Sequence, residues 1–459
     1  MTDLRNVVEI IDQSKVSWLQ RRVVLLGILI VCLDGFDNQS IAFVAPALKT
    51  AWHLQRGALG PVFSAGVMGL GLGGLLIGPF ADRFGRTRTL IATVTFSAVM
   101  TTLIAQVTTL SELLALRFFI GLGLGAVMPL CIVLANEYSP HRHRGALVTL
   151  VTTGYSIGAA TGGFVTAHLV PLWGWQSVFY VGGGMTLVVA LGLRFCMPES
   201  IRFLALKSDG TPRIIKILRQ INPALTFGSD VRFTIASGTE VPDHASPIGK
   251  LRELFAQNRR FVTILLWFSL FMDLIVLNFL INWLPSLVTD MGLPGPLALK
   301  VSTALQFGGF IGVISMGILA DRFGYYRVIA LSFAVGGLSI ASIGLVGTSL
   351  VGLIGTIFVA GVGSIGCNLI LGALSATLYP IRIRATGSSW AFGVARLLSI
   401  ASPLLGGFVI SLRWSLQDIF ITVSVPMFLG SLSIFTMATI AKTRLSPVAV
   451  RPANDGKTA

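Results

Sequence analysis

Twelve apolar runs, each long enough to cross a bilayer, occupy most of this 459-residue chain. A bilayer core takes roughly 20 apolar residues per helix. The runs fall at about 23–46, 58–80, 89–107, 111–137, 146–170, 175–196, 261–287, 298–320, 328–346, 350–378, 386–411 and 416–440. Lipid offers backbone groups no partners, so each run has to pair its own N–H and C=O groups as a helix. The expected fold is therefore an all-α integral membrane protein. Asp, Glu, Lys and Arg make up 12% of the chain, against about 25% in a soluble domain. That excludes a soluble multidomain enzyme, and the high hydrophobicity excludes disorder.

The one long polar stretch, 197–260, separates the sixth and seventh runs. It reads as a tether holding two short helices, which open at Thr211-Pro212 and Ser246-Pro247, a cap residue followed by Pro. The expected organisation is an N-terminal tail (1–22), a six-helix bundle (23–196), a central loop (197–260), a second six-helix bundle (261–440) and a C-terminal tail (441–459). Arg21-Arg22 followed by Val23–Leu33 is shaped like a short signal sequence. Asp34 and Asp37 interrupt that run and it resumes through Ile41–Ala45, so one uncleaved helix is expected.

With both termini inside, 28 of the 34 Lys+Arg lie in or beside the inner segments. Lys49, Arg56, Lys300 and Arg413 lie outside, and Arg117 and Arg396 lie within spans. Without the ten in the central loop the count is still 18 against 4, a strong positive-inside bias. That bias accounts for the net charge of +15 without nucleic acid. Both termini are expected on the cytoplasmic side of a bacterial inner (plasma) membrane. Cys32, Cys131, Cys196 and Cys367 sit in apolar runs without metal-ligand spacing, so neither a metal, a cofactor nor a disulfide framework is expected.

The halves repeat at a fixed offset. Adding 239 carries Asp34 to Asp273, Pro46 to Pro285, Gly78 to Gly317, Asp82 to Asp321, Arg83 to Arg322, Phe84 to Phe323, Gly85 to Gly324 and Arg88 to Arg327. A parallel six-plus-six repeat points to a transporter whose substrate site lies at the midplane between halves. The segment Gly78-Pro-Phe-Ala-Asp82-Arg83-Phe84-Gly85-Arg86-Thr87-Arg88 resembles the loop motif of the major facilitator superfamily. The second copy, Gly317 to Arg327, has Tyr325 where Arg86 sits. Pro198–Phe203, and Glu137 with Pro140 and Arg144-Gly145, resemble the sugar and organic-ion branch. Asp34-Gly35-Phe36-Asp37 resembles the Asp-Gly-x-Asp signature of the aromatic acid/proton symporters. The resemblance implies twelve helices in two bundles, import of a benzoate- or hydroxybenzoate-like acid with protons by alternating access, and function as a monomer. Another organic anion, a sugar or a drug is the competing cargo.

Charge inside the bilayer locates candidate sites without the resemblance. At 1.5 Å per residue, Asp34 and Asp273 lie ~18 Å from the inner end of their spans, Asp37 lies one turn further, Arg117 lies ~20 Å from the inner side, and Arg396 lies at ~15 Å. Each ionisable group costs roughly 2.5–3.5 kcal/mol or more at a helix centre, so these five are expected to face one another or a wet cavity. Asp34 and Asp37 are i,i+3 and share a face; a proton held between them relieves their repulsion. All five histidines fall in loops or at helix ends. Asp34, Asp37 and Asp273 are therefore the proton-coupling candidates. A structural ion pair with Arg117 is the competing reading.

Arg396 and Arg117 are candidate anchors for an anion, because guanidinium grips carboxylate through two parallel hydrogen bonds. Asn38, Gln39, Asn278, Asn282 and Asn368 are candidate polar contacts. Phe36, Phe271, Trp390 and Phe392 lie near the midplane, where a core or belt role is favoured over stacking on a ring; Trp390 is carried among the candidate substrate contacts. The candidate cytoplasmic gate comprises Gly78, Asp82, Arg83, Gly85, Arg86, Glu137 and Arg144, with Gly317, Asp321, Arg322 and Gly324 in the second half. No His-Glu-x-x-His, nucleophile elbow or haem ligand set supports an enzyme.

Overall fold

The computed structural model describes residues 4–205, 207, 210–223, 225, 227, 231–234, 252–256, 259–379 and 381–444. Ser246-Pro247 lies outside the described residues, so the second short helix expected there is not assessed. The first exists: Thr211–Ile221 is helical, with Pro212 in its first turn. In chain order the first-half helices are α1 (Val7–Gln13), α2 (Trp18–Ala51), α3 (Gly60–Phe84), α4 (Arg86–Ile104), α5 (Leu110–Leu124), α6 (Val127–Tyr138), α7 (His141–Trp173) and α8 (Gln176–Cys196). The connecting segment carries α9 (Ile201–Ala205) and α10 (Thr211–Ile221). The second half holds α11 (Arg260–Asp290), α12 (Gly295–Ser302), α13 (Ala304–Phe323), α14 (Tyr325–Ile343), α15 (Leu350–Leu378), α16 (Ile381–Ser399), α17 (Ala401–Ser411) and α18 (Leu416–Arg444). Strands β1 (Leu4–Asn6) and β2 (Arg232–Thr234) pair in parallel, Leu4 opposite Arg232.

Three spans are broken pairs, α5–α6, α12–α13 and α16–α17, so the described helices make twelve rods. Ten are apolar and long enough to cross a membrane by composition alone. The other two are α2 and α7. Asp34, Asp37, Asn38 and Gln39 dilute α2, and Gly, Thr and Ser dilute α7. Each is nonetheless over 30 residues long, or ~50 Å. Capping boxes start α2 (Ser17 with Gln20) and α5 (Thr109 with Glu112), satisfying N–H groups that the first turn leaves orphaned. The start of α2, the end of α18 and the described part of the connecting segment lie at one end of the bundle, here termed the terminal side; the opposite end is the far side.

The repeat is visible in the backbone. Pro46 and Pro285 sit inside α2 and α11. Gly85 and Gly324 separate α3 from α4 and α13 from α14, at φ +108° and +86°. Both have ψ near 145°, a region essentially closed to side-chain-bearing residues. A Cβ on Gly85 would also stand 2.6 Å from Glu199 Oε2. Gly85→Ala is therefore expected to cost ~1–3 kcal/mol and to lower the melting temperature of the purified protein by several degrees, read by a thermal-shift assay.

Glycine also sets how closely α2 and α7 cross. A side chain on Gly35 would collide with the Tyr155 carbonyl, and one on Gly158 with the Cys32 carbonyl. The glycine between the two aspartates is thus a packing requirement: it lets the α7 backbone run against α2 where the charges sit.

The halves meet on the far side and near mid-depth. Lys49 Nζ and Asp290 Oδ1 pair at 2.9 Å. Ser64 donates to the Ile400 carbonyl, Gln39 donates to the Ile281 carbonyl and accepts from Gln306, and Phe63 packs edge-on against Trp283. The terminal ends of α3 and α13 stand apart. Gly78 and Gly317 face open space, and Phe80, Phe84, Ile318 and Phe323 are exposed. Among the described residues no hydrogen bond or ion pair joins the two halves on the terminal side.

Candidate functional site

A cavity of ≈ 370 Å³ lies at mid-depth between the halves. Its wall takes residues from α2, α3, α5, α6, α7, α11, α13, α15 and α16, so neither half forms it alone. Most of the wall is apolar, with Leu70, Met128, Leu277, Ile281, Phe310 and Leu369 typical. Polar side chains on it include Asp34, Asn38, Tyr155, Asn278, Asn368 and Arg396, with hydroxyls from Thr152, Thr153, Ser156 and Ser399. This combination of broad apolar wall and sparse placed polar groups is that of a small-molecule site.

Arg396 enters from α16, deep in the protein yet exposed to the cavity. Among the described residues no carboxylate forms an ion pair with it. Asp34 faces the same space from α2, and Tyr155 faces it from α7. Tyr155 Oη accepts a 2.5 Å hydrogen bond from Asn38 Nδ2. Asn278 donates to Ser399 Oγ at 3.2 Å. On the opposite wall Asn368 Nδ2 donates to Asp273 Oδ2 at 2.7 Å. Asp273 itself is fully buried behind Asn368.

The other candidate charges lie off the wall. Asp37 is buried inside the first half, where Thr101 Oγ1 donates to its Oδ2 at 2.7 Å. Arg117 is also buried there, and its two terminal nitrogens donate to the carbonyls of Asp37 and Asn38, each at 3.3 Å. Depth reasoning put Arg117 level with the aspartates, and it is. The guanidinium holds the α2 backbone, however, and does not reach the cavity. Gln39 and Asn282 point elsewhere too: Gln39 joins the halves, and Asn282 donates to the Asn278 carbonyl in its own helix. Trp390 is exposed and outside the cavity wall. Phe36, Phe271 and Phe392 are likewise absent from it; the ring-bearing residues on the wall are Tyr155 and Phe310. Tyr155 was not among the sequence candidates, although a tyrosine at mid-span is itself unusual, since such rings favour the membrane interfaces.

The terminal-side candidates split in two. Arg86 pairs with Glu137, which accepts from Ser200 Oγ at 2.6 Å. Glu199 accepts from the Thr87 N–H at 2.8 Å, and Tyr138 Oη donates to the Glu199 carbonyl at 2.6 Å. This network ties α4, α6 and the start of α9 within the first half. Arg144 lies 3.8 Å from Asp12, which also accepts from the His141 N–H. By contrast Asp82 is 74% exposed, its one described ion pair being with Arg86 at 3.7 Å. Arg83 and Arg322 each lie over the adjacent phenylalanine of their own half, Phe84 and Phe323, and Asp321 is exposed.

The family model described as Major Facilitator Superfamily matches residues 27–316. The chain belongs to the Major Facilitator Superfamily. It is a membrane transporter and not an enzyme, as its family and its transporter relatives show. It is 36% identical to the gallate transporter of Pseudomonas putida, over 96% of this chain and 97% of that protein. It is 34% identical to the 4-hydroxybenzoate transporter PcaK of Pseudomonas aeruginosa, over 92% and 94%. It is 32% identical to the benzoate transport protein of Acinetobacter baylyi, over 94% and 92%. Among solved structures, a bacterial homolog of the human lysosomal transporter Spinster, in an inward-facing and unoccupied conformation, superposes with a TM-score of 0.73. That match is at 16% identity and covers 94% of this chain and 99% of the other. The D-xylose–proton symporter superposes with a TM-score of 0.67 at 17% identity, covering 91% and 97%. These structural likenesses bear on the fold.

Proposed function

We propose that this transporter imports a small aromatic carboxylate, of the benzoate or hydroxybenzoate kind, together with protons across the bacterial inner membrane. Both termini are cytoplasmic in this reading, so the terminal side is the inner side and the described state is inward-open. The observation that carries the reading is the guanidinium of Arg396 facing an apolar cavity with Asp34 beside it. An apolar wall suits a ring, and an arginine without a carboxylate partner suits its carboxylate. Tyr155, Asn38 and Asn278 offer hydrogen bonds to ring hydroxyls. Three relatives whose names specify ring carboxylates match over nearly their whole length. Binding of purified protein to a panel of hydroxylated benzoates tests this. Micromolar binding of at least one of them is expected, with cyclohexanecarboxylate weaker and a neutral sugar such as xylose unbound. Tighter xylose binding would overturn the assignment in favour of a sugar cargo.

The same contacts support alternating access. The far-side ion pair Lys49–Asp290 has to break for the cavity to open outward, and the separated faces of Gly78 and Gly317 close on the inner side. The pair is about one quarter exposed on each side chain, so it contributes about 1 kcal/mol at most. Lys49→Gln is expected to raise the outward-open population roughly 2- to 5-fold. Ser286 lines the small far-side pocket beside that pair. The rate at which a membrane-impermeant maleimide labels Ser286→Cys in intact cells, on a background lacking the four native cysteines, reads the shift. An unchanged rate would remove this pair from the gate.

A further inference from the structure

A second, much smaller cavity, of ≈ 10 Å³, lies inside the first half, walled by Ile30, Leu33, Asp34, Asp37, Val94, Leu124, Val127, Thr186 and Val189. Three of these residues carry a buried oxygen without a hydrogen-bond partner: Asp34 Oδ1, Asp37 Oδ1 and Thr186 Oγ1. All three residues are more than nine-tenths buried. Buried polar atoms in native proteins are paired with protein or with ordered water, and an orphan calls for an explanation. Three around one small cavity share a single explanation. A site of ~10–15 Å³ holds one water, which typically makes about three hydrogen bonds. Val94, Leu124 and Val127 close the rest of the wall, so a larger guest has no room.

We propose that this cavity is a single-water site bridging Asp34, Asp37 and Thr186, and that the water relays a proton between the aspartate facing the transport cavity and the one buried behind it. The inference rests on the proton-coupled reading above. Asp34 belongs to both cavities, so it is the only link needed between bulk solvent and the interior. In the relay, the O–H bond of protonated Asp34 breaks as the water accepts that proton. The water releases another to the Asp37 carboxylate, and Asp34 is left ionised. The water is regenerated and charge is conserved. Thr186 is a positioning residue: its hydroxyl fixes the water's remaining bond. The other titratable or charged groups facing the two aspartates are Arg117 from α5, Cys131 from α6, Tyr155 from α7 and Arg396 from α16. Thr101 from α4 already occupies the other oxygen of Asp37. The orphaned Oδ1 of Asp37 is thus the oxygen left for the water.

The test uses the full-length protein in liposomes, with labelled 4-hydroxybenzoate as probe. Thr186→Val keeps the shape and removes the hydroxyl. Its initial rate of pH-gradient-driven uptake is expected to fall at least 10-fold, while counterflow exchange, which needs no net proton release, stays within twofold of wild type. Thr186→Ser is expected to restore the driven rate. Val94→Ile fills the cavity and is expected to mimic Thr186→Val. If Thr186→Val drives uptake at the wild-type rate, or if its driven uptake and counterflow fall together, the water site is wrong. Asp34→Asn separates the layers. Loss of driven uptake there with an unaffected Thr186→Val removes the water alone, whereas wild-type coupling in Asp34→Asn removes the proton reading itself.

Discussion

Replacing Asp34 and Asp37 together by asparagine is expected to abolish accumulation of substrate against its gradient and to leave counterflow exchange measurable. The reason is electrostatic. Asparagine preserves size and hydrogen-bonding capacity, so Thr101 still has a partner at position 37 and α7 still packs on Gly35. The variant folds, and it lacks only groups that take up and release a proton. The size of the effect follows from the driving force. With one proton per monoanion the electrical term cancels, and a pH difference of one unit supports ~10-fold accumulation, equal to about 1.4 kcal/mol. With two protons, each extra inward charge adds about 2.3 kcal/mol per 100 mV. The double variant forfeits all of this, and its initial uptake rate is expected to fall to that of protein-free liposomes. Hydroxybenzoic acids also cross lipid in their neutral form, so initial rates are compared with protein-free liposomes. Accumulation at the wild-type level by the double variant would leave these aspartates as a structural pair.

Arg396→Gln is expected to raise the half-saturation concentration about 30-fold, with Arg396→Lys intermediate. The estimate takes ~2 kcal/mol for a charge-assisted hydrogen bond to the anion. Lysine keeps the charge and loses the two-pronged geometry. The contrast with Arg117 makes the test specific. Arg117 holds the carbonyls of Asp37 and Asn38, so Arg117→Gln is expected to lower expression or maximal rate with little change in half-saturation. Trp390→Ala, outside the cavity wall, is expected to change half-saturation less than twofold. Concentration-dependent uptake by the four variants reads the difference. An Arg396→Gln variant with wild-type half-saturation would move the anion site elsewhere.

Membrane burial makes part of this account easy to read from the sequence. Hydropathy located all twelve rods, even α2 and α7, whose polar residues dilute the signal, because length and flanking charge remain. An ionisable residue costs so much in lipid that its mere presence at mid-depth marks a buried or wet position. Asp34 and Arg396 were legible for that reason. Rotation about the helix axis was harder. Trp390 precedes Arg396 by six residues, about 240° around a helix, and that places it off the cavity face. Gln39 follows Asp34 by five, about 140° around, which turns it to the second half. Arg117 has the right depth but hangs inside its own bundle. Thr101 and Thr186 were not legible at all. A threonine in a membrane helix commonly bonds its own helix's carbonyls, as Thr102 does with Ala98, so a functional hydroxyl looks like any other. The role of Gly35 needed the structure as well, since only the crossing of α7 explains why the position tolerates no side chain.

The most direct measurement is proton movement itself. Liposomes containing the purified transporter, in weakly buffered medium without sodium, receive a pulse of 4-hydroxybenzoate while external pH is recorded. The account predicts a substrate-dependent alkalinisation above that of protein-free liposomes, which saturates with concentration, falls to the protein-free level in the Asp34→Asn, Asp37→Asn double variant, and shifts to higher concentration in Arg396→Gln. Saturable uptake of the labelled acid with no accompanying alkalinisation, or the same alkalinisation in the double variant, would contradict it.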